Sequence, residues 1–373
     1  MKKVFNLLSL QLDHGRRYAA LDHVRAYAAL LVLFAHILHN LSRGLFPKEV
    51  GSWITTNNIV YEFLAEGHAG VSLFLVLSAY LFTTLTYEKE ISYWLFIRSR
   101  ILRIYPLYSL LVFCGMYTNS STLTFSSFLG ALFLLQGTPA AHDGGLFTVI
   151  LWTISTEFIF YFIFPFMMIF IRQFTWRIIL FWIALFILLR LMSVDMGASP
   201  RDMPYFTILG RMDQFCLGIL AAIYVRTYPQ HNSMQRKMLL PVILCIIGAL
   251  IIFNRLGGWE RITPWKIYWN TLEGILFAAF IVAYQAFENH FHRIYNAILS
   301  FVGNISYSIY LLHIPIIGYY SHKFFFRATD NYFHNAMVNA LVVIPIVLII
   351  SLLSFIAVER PFLLLRKPYT RDI

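Results

Sequence analysis

Hydrophobic and polar positions alternate along this chain on a coarse scale, as long apolar runs separated by short polar breaks. A helix needs about 20 mostly apolar residues to cross a bilayer. Ten apolar runs between polar breaks read as spans, near 24–41, 69–86, 104–118, 149–171, 176–194, 206–226, 238–254, 271–287, 303–322 and 336–358. An eleventh piece, FSSFLGALFLLQ at 125–136, is too short for a full crossing and is expected as a re-entrant or interfacial helix. The pattern predicts an all-α polytopic membrane protein with a single domain over 1–373. A cytoplasmic segment at 1–22, a cytoplasmic tail at 359–373 and no attached soluble domain are expected. No internal repeat of the length seen in repeat proteins is visible.

Composition agrees with the pattern. The chain is 59% hydrophobic and 13% charged, whereas soluble domains run near half apolar and a quarter charged. A net charge of +11 would raise nucleic acid as a partner of a soluble protein. Here no basic run interleaves with exposed aromatics, so nucleic acid is excluded. The charge instead reads as topology, because Lys and Arg collect in cytoplasmic loops. With the N-terminus inside, 19 of the 29 cations lie at inner ends and loops. Making 125–136 a true span would carry Arg360, Arg366, Lys367 and Arg371 outside. Lys2 and Lys3 precede only a short apolar run with no small-residue cleavage site, so no cleaved leader is expected. Cys114, Cys216 and Cys245 sit in apolar runs without disulfide spacing.

The stretch RAYAALLVLFAH carries chemistry into the first span. Arg25 and His36 are eleven helical steps apart, which places them on one face and separates them by roughly 16 Å. With Arg25 at the inner surface, His36 lies near the midplane. Ionisable groups at that depth usually face a cavity and mark function. Alone, Arg25 reads equally as a snorkelling topology residue, and His36 as a histidine packed between helices.

Further segments form an ordered set. They are LDHVRAYAALLVLFAH, GHAGVSLFLVLSAYLF, FIRSRILRIYPLY, LWTISTEFIFYFIFP, RMDQFCLGILAA, ISYSIYLLHIPI and the late ERP. Together they resemble the acyltransferase-3 family of membrane acyltransferases, over residues 21–361. The first segment resembles the family's Arg-x10-His helix. The third is similar to its Phe-x-x-Arg-Arg-x-x-Arg-Ile-x-Pro motif, and the fourth to its Trp-Ser-Leu-x-x-Glu element. Three departures stand out. His23 stands where the usual Asp-Gly-x-Arg opening has glycine, and Ala79 follows Ser78 where glycine is usual. Ser99 takes the place of the first of the paired arginines, with Arg98 shifted by one.

The resemblance implies an enzyme of the bacterial cytoplasmic (inner) membrane. It would take an acyl group, most often acetyl, from cytoplasmic acyl-CoA to a hydroxyl of a surface or lipid-linked glycan such as lipopolysaccharide. Arginine grips phosphate by charge and by bidentate bonds, so Arg25, Arg98, Arg100 and Arg103 are the expected acyl-CoA contacts. His36 is expected as general base or as a covalent acyl carrier, and both routes stay open. Glu157, in an otherwise apolar helix, needs a partner. It is expected either to orient the His36 imidazole or to pair with a cation such as Arg211.

Candidates of lower rank are Asp22, Arg211, Asp213, Ser306, Tyr307, Ser308 and His313, with Asp143 as a contact to the acceptor. Each can equally hydrogen-bond between helices and do nothing else. His36 and His39 lack matched further ligands for a metal, and none is expected. A glycan transporter would also need ionisable groups in a cavity, but no inverted repeat supports one. A non-catalytic assembly partner has no need of Arg25, His36 and Glu157 at depth.

Overall fold

In the computed structural model of the chain, residues 18–41, 58–119, 124–134 and 145–372 are described. Lys2, Lys3, Arg16, Arg17 and Asp143 lie outside them. Helix α1 is Ala19–Leu41, α2 is Ile59–Ala65, α3 is Gly70–Thr86, α4 is Tyr93–Thr118 and α5 is Phe125–Leu132. Then follow α6 (Leu151–Phe174), α7 (Trp176–Asp195), α8 (Asp202–Phe206), α9 (Ile208–Thr227), α10 (Asn232–Lys237) and α11 (Leu239–Arg255). The chain ends with α12 (Lys266–Gln285), α13 (Arg293–Asn304), α14 (Ser306–Lys323), α15 (Tyr332–Ser354) and α16 (Arg360–Leu363). Eight helical stretches among the described residues are long and apolar enough to span unbroken, and counting each of two bent pairs, α10–α11 at 55° and α13–α14 at 64°, as one span gives up to ten. The protein is an all-α polytopic membrane protein.

Lipid is as apolar as the side chains, so burying them against each other does little to drive helices together in a bilayer. Close packing and internal hydrogen bonds must do it. The centre of this bundle shows both. A Cβ on Gly218 of α9 would sit 2.2 Å from the Val76 carbonyl oxygen of α3, and one on Gly70 would sit 2.5 Å from that of Ala28 in α1. Glycine at these positions lets three helices meet backbone to backbone. Accordingly, 72% of the spanning windows of α3 and α9 is buried, against 11% for α7, which lies on the outside.

The ends of the elements follow local chemistry. Asn58 caps α2 by accepting from the Val60 and Tyr61 amides at 3.0 and 3.1 Å. Thr207 caps α9 by accepting from Gly210 N at 3.1 Å. Each satisfies backbone donors that the first helical turn leaves open.

Several expectations are corrected. The third span begins at Tyr93 rather than near 104, so Arg98, Arg100 and Arg103 lie inside one helix instead of in a loop before it. The helix tolerates them because Arg100 and Arg103 find aromatic and acidic neighbours within the bundle. The ninth span is a bent pair, in which the amphipathic helix α13 meets α14 at 64° across Ile305. The short piece at 125–136, by contrast, is as expected a short helix, the eight-residue α5, which cannot cross a bilayer. It rests against α4, where Tyr108 donates to the Ala131 carbonyl at 2.6 Å and Tyr105 to that of Leu132.

The tail is also more ordered than a free extension. Strand β1 (Lys89–Ile91) pairs antiparallel with β2 (Thr370–Asp372) in a two-stranded ribbon. The Ser92 amide adds a bond to the Tyr369 carbonyl at 2.9 Å. At the other end of the chain, the Ala19 amide donates to Glu288 at 2.7 Å, beside the α12–α13 connection. The ribbon sets the tail beside the segment that follows α3, where two crossings have returned the chain to the face from which α1 starts, here called the terminal face.

Candidate active site

His36 lies on α1, roughly 16 Å along the axis from Arg25. It is half-buried. The structure brings His313 of α14 against it, with His313 Nε2 at 3.2 Å from His36 Nδ1 and the ring centroids 4.9 Å apart. Two backbone carbonyls fix the tautomers, because a carbonyl oxygen only accepts. His313 Nδ1 lies 3.1 Å from the Ile309 oxygen, so it carries the proton and leaves Nε2 as an acceptor. His36 Nδ1 lies 2.9 Å from the Val32 oxygen, so it too carries the proton and shares it with His313 Nε2. For two neutral rings this assignment, inferred from the bonding pattern, leaves the lone pair of His36 on Nε2. His313 is fully buried and is linked to α6 through Tyr310, whose hydroxyl lies 2.8 Å from that of Thr153.

Below this pair, toward the terminal face, lies a polar knot. Glu359 is fully buried in the last span, where residues Phe355–Glu359 form a π-helical turn. Its carboxylate accepts from Ser308 and pairs with Arg103 at 3.2 Å. The Arg103 guanidinium also lies 5.5 Å from the Tyr307 ring, and the Tyr307 hydroxyl donates to the Ile104 carbonyl at 2.8 Å. Ser306 is buried at the α13–α14 break. Three of the sequence candidates, Arg103, Tyr307 and Ser308, are therefore gathered in one place.

The other arginines behave differently from one another. Arg25 pairs with Asp22 one turn earlier at 2.8 Å. Arg98 is exposed. Arg100 is buried, with its guanidinium over the rings of Phe82, Phe96, Tyr161 and Tyr369 at 4.8–5.9 Å. Among the described residues it meets no carboxylate.

Glu157 does not orient His36, and it does not pair with Arg211. Its carboxylate accepts from Ser78 of α3, with Tyr161 as a further hydrogen-bond neighbour. Arg211 instead donates to Ser72 at 2.9 Å and to the Tyr205 carbonyl at 2.8 Å. Its guanidinium lies 4.3 Å from the Tyr205 ring. Burial raises the Tyr205 phenol pKa, so that hydroxyl stays neutral. Asp213 is bound by Arg190, and both are fully buried. Thr271 also donates to that carboxylate. Arg211 and Asp213 thus belong to a network joining α3, α7, α9 and α12.

Residues 18–360 match the sequence profile of an acyltransferase domain, nearly the whole chain. The chain belongs to acyltransferase family 3. It is a multi-pass membrane acyltransferase, and its long apolar helices form the domain itself. No curated protein and no solved structure matches it. Within this acyltransferase the first departure from the family pattern has a clear use. His23 is fully buried and bridges α1 to Asn296 at 2.9 Å and to Tyr284 at 3.0 Å.

Sequence reasoning missed Glu359 and Ser78 as site candidates, although both lie in segments that carry the resemblance. A lone acid at the end of an apolar span, followed by Arg360 and Pro361, was a signal for Glu359. The partners of Ser78 are 79 residues distant, so nothing local announced that bond. Glu66, Glu273 and Arg190 are further buried charges whose only mark in the sequence is their apolar surroundings.

Proposed function

We propose that this acyltransferase moves an acyl group, most simply acetyl, from acyl-CoA to a hydroxyl of a surface or lipid-linked glycan. The observation that carries the reading is the His36–His313 pair, held at depth with the His36 lone pair on Nε2. His36 Nε2 takes the proton of the acceptor hydroxyl as that oxygen attacks the thioester carbonyl. The tetrahedral intermediate collapses, the carbon–sulfur bond breaks, and the imidazolium returns its proton to the CoA thiolate. His313 orients the ring, the part a third group plays for a catalytic histidine elsewhere.

The terminal face is the donor side. Arg25, Arg98, Arg100 and Arg103 all lie toward it on α1 and α4, and the excess of basic residues there supports reading it as the cytoplasmic face. A bacterial inner membrane rests on the family resemblance. The acceptor reaches His36 from the opposite face. A glycan acceptor and an acetyl donor rest on the family resemblance. Asp22 and Glu359 hold Arg25 and Arg103 in place.

The test uses the purified full-length protein in nanodiscs with radiolabelled acetyl-CoA and a membrane glycan fraction. Label appearing in alkali-labile form on the glycan, and lost with His36→Ala, is the expected result. Transfer that persists in His36→Ala would exclude the mechanism.

A further inference from the structure

Ser99 on α4 is 1% exposed, yet its hydroxyl accepts from two guanidinium groups of different origin. Arg100 donates through Nη2 at 3.0 Å. Arg366 donates through Nε at 2.8 Å, from the C-terminal tail. Arg100 is 8% exposed, meets no carboxylate among the described residues, and has a buried Nε without a hydrogen-bond partner. Burying a charge is costly unless a counter-charge or a set of hydrogen bonds completes its surroundings. One neutral hydroxyl and a ring of aromatic faces leave Arg100 short of that, and Arg366 delivers a second cation to the same hydroxyl. Two planar guanidiniums converging on one point suit a phosphate, which takes several charge-assisted bonds at once.

The tail is fixed where it can do this. Its strand pairs with β1, and the Tyr369 ring stands 5.3 Å from Phe96 and covers Arg100. Position 99 is also where the related pattern carries the first of two arginines, and here it is serine. Arg98, the neighbouring alternative, is exposed.

We infer that Arg366, carried by the tail, supplies the cation that position 99 lacks, and that Arg100 and Arg366 together bind a phosphate of the acyl donor. The inference rests on the acyl-CoA reading given above. Residue 366 lies beyond α16, so the donor site is closed by the last residues of the chain rather than by the helix bundle alone.

The experiment is calorimetric titration of the full-length protein in phosphatidylcholine nanodiscs with CoA and with dephospho-CoA. Wild type is compared with Arg366→Gln, Arg366→Lys and Lys367→Gln, each checked for monodisperse elution and an unchanged thermal midpoint. Arg366→Gln is expected to weaken CoA binding about tenfold, Arg366→Lys to weaken it less, and Lys367→Gln not at all. A loss confined to CoA assigns the ribose phosphate, and an equal loss for both ligands assigns the pyrophosphate. Unchanged CoA affinity in Arg366→Gln, with wild type binding, overturns the inference and leaves the donor reading intact. Wild type that binds no CoA overturns both. Unchanged CoA affinity with loss of co-purifying phosphatidylglycerol would make the phosphate a lipid headgroup, which also overturns it.

Discussion

His313 Nε2 stands 3.2 Å from His36 Nδ1, across the contact between the first and ninth spans. The two rings come from positions 277 residues apart and share one proton between their facing nitrogens. In the proposed mechanism this arrangement turns the proton-accepting Nε2 of His36 away from His313. That mechanism makes His313 a positioning residue, and its loss should be read in the turnover step rather than in binding.

His313→Ala should lower kcat about tenfold, the scale of one lost orienting hydrogen bond, with KM for acyl-CoA nearly unchanged. His313→Gln, which can still present an acceptor, should recover part of the rate. Steady-state kinetics of the purified variants measures both. A rise in KM with kcat intact would move His313 from orientation to substrate binding.

Glu157 is held by Ser78 and not by His36. Glu157→Gln can keep that bond and should leave the pH dependence of kcat/KM where wild type has it. His313→Gln should displace the limb that reports His36. The discriminating quantity is the shape of the two profiles, not the absolute rates. A displaced profile for Glu157→Gln would put the carboxylate back beside the catalytic imidazole.

The Arg103–Glu359 pair ties the third span to the last, with Ser308 of the ninth bonded to the same carboxylate. Glu359→Ala removes the partner of a buried hydroxyl and of a cation at once. Breaking a buried pair costs about 3–5 kcal/mol, and Arg103 is partly open to solvent, so about 2 kcal/mol is expected here. Thermal unfolding in detergent should show that loss, with a smaller one for Glu359→Gln. Equal midpoints for Glu359→Ala and wild type would mean that the pair does not hold these spans together.

Arg190 and Asp213 form a fully buried pair on the outer span α7 and the central α9. Arg190→Met alone leaves an uncompensated carboxylate and should abolish accumulation of folded protein in the membrane. Adding Asp213→Asn removes the charge while keeping hydrogen bonds to Thr271 and the Gln214 amide, and should restore both folding and acyl transfer. A double variant that folds yet transfers nothing would give Asp213 a role in the reaction.

The spans were legible because crossing a bilayer imposes a length and a composition that few other structures share. Arg25 and His36 were legible together because helical spacing alone puts them on one face at different depths. The partner of His36 was not, because helix packing rather than spacing brings His313 of the ninth span to it. The same holds for Arg366 and Ser99, which meet only because a short ribbon folds the tail back under the bundle. The start of the third span was misplaced for a related reason. A charged residue reads as a loop until the aromatic rings that shelter Arg100 are known.

The most direct test of the central claim is mass spectrometry of alkali-labile acyl groups on the surface glycans of cells lacking this protein. The same cells carrying wild type or His36→Ala complete the comparison. The account predicts a gain of one acetyl mass per modified sugar with wild type only, and none with His36→Ala. An identical acyl content in all three, or acylation that survives in His36→Ala, would contradict it.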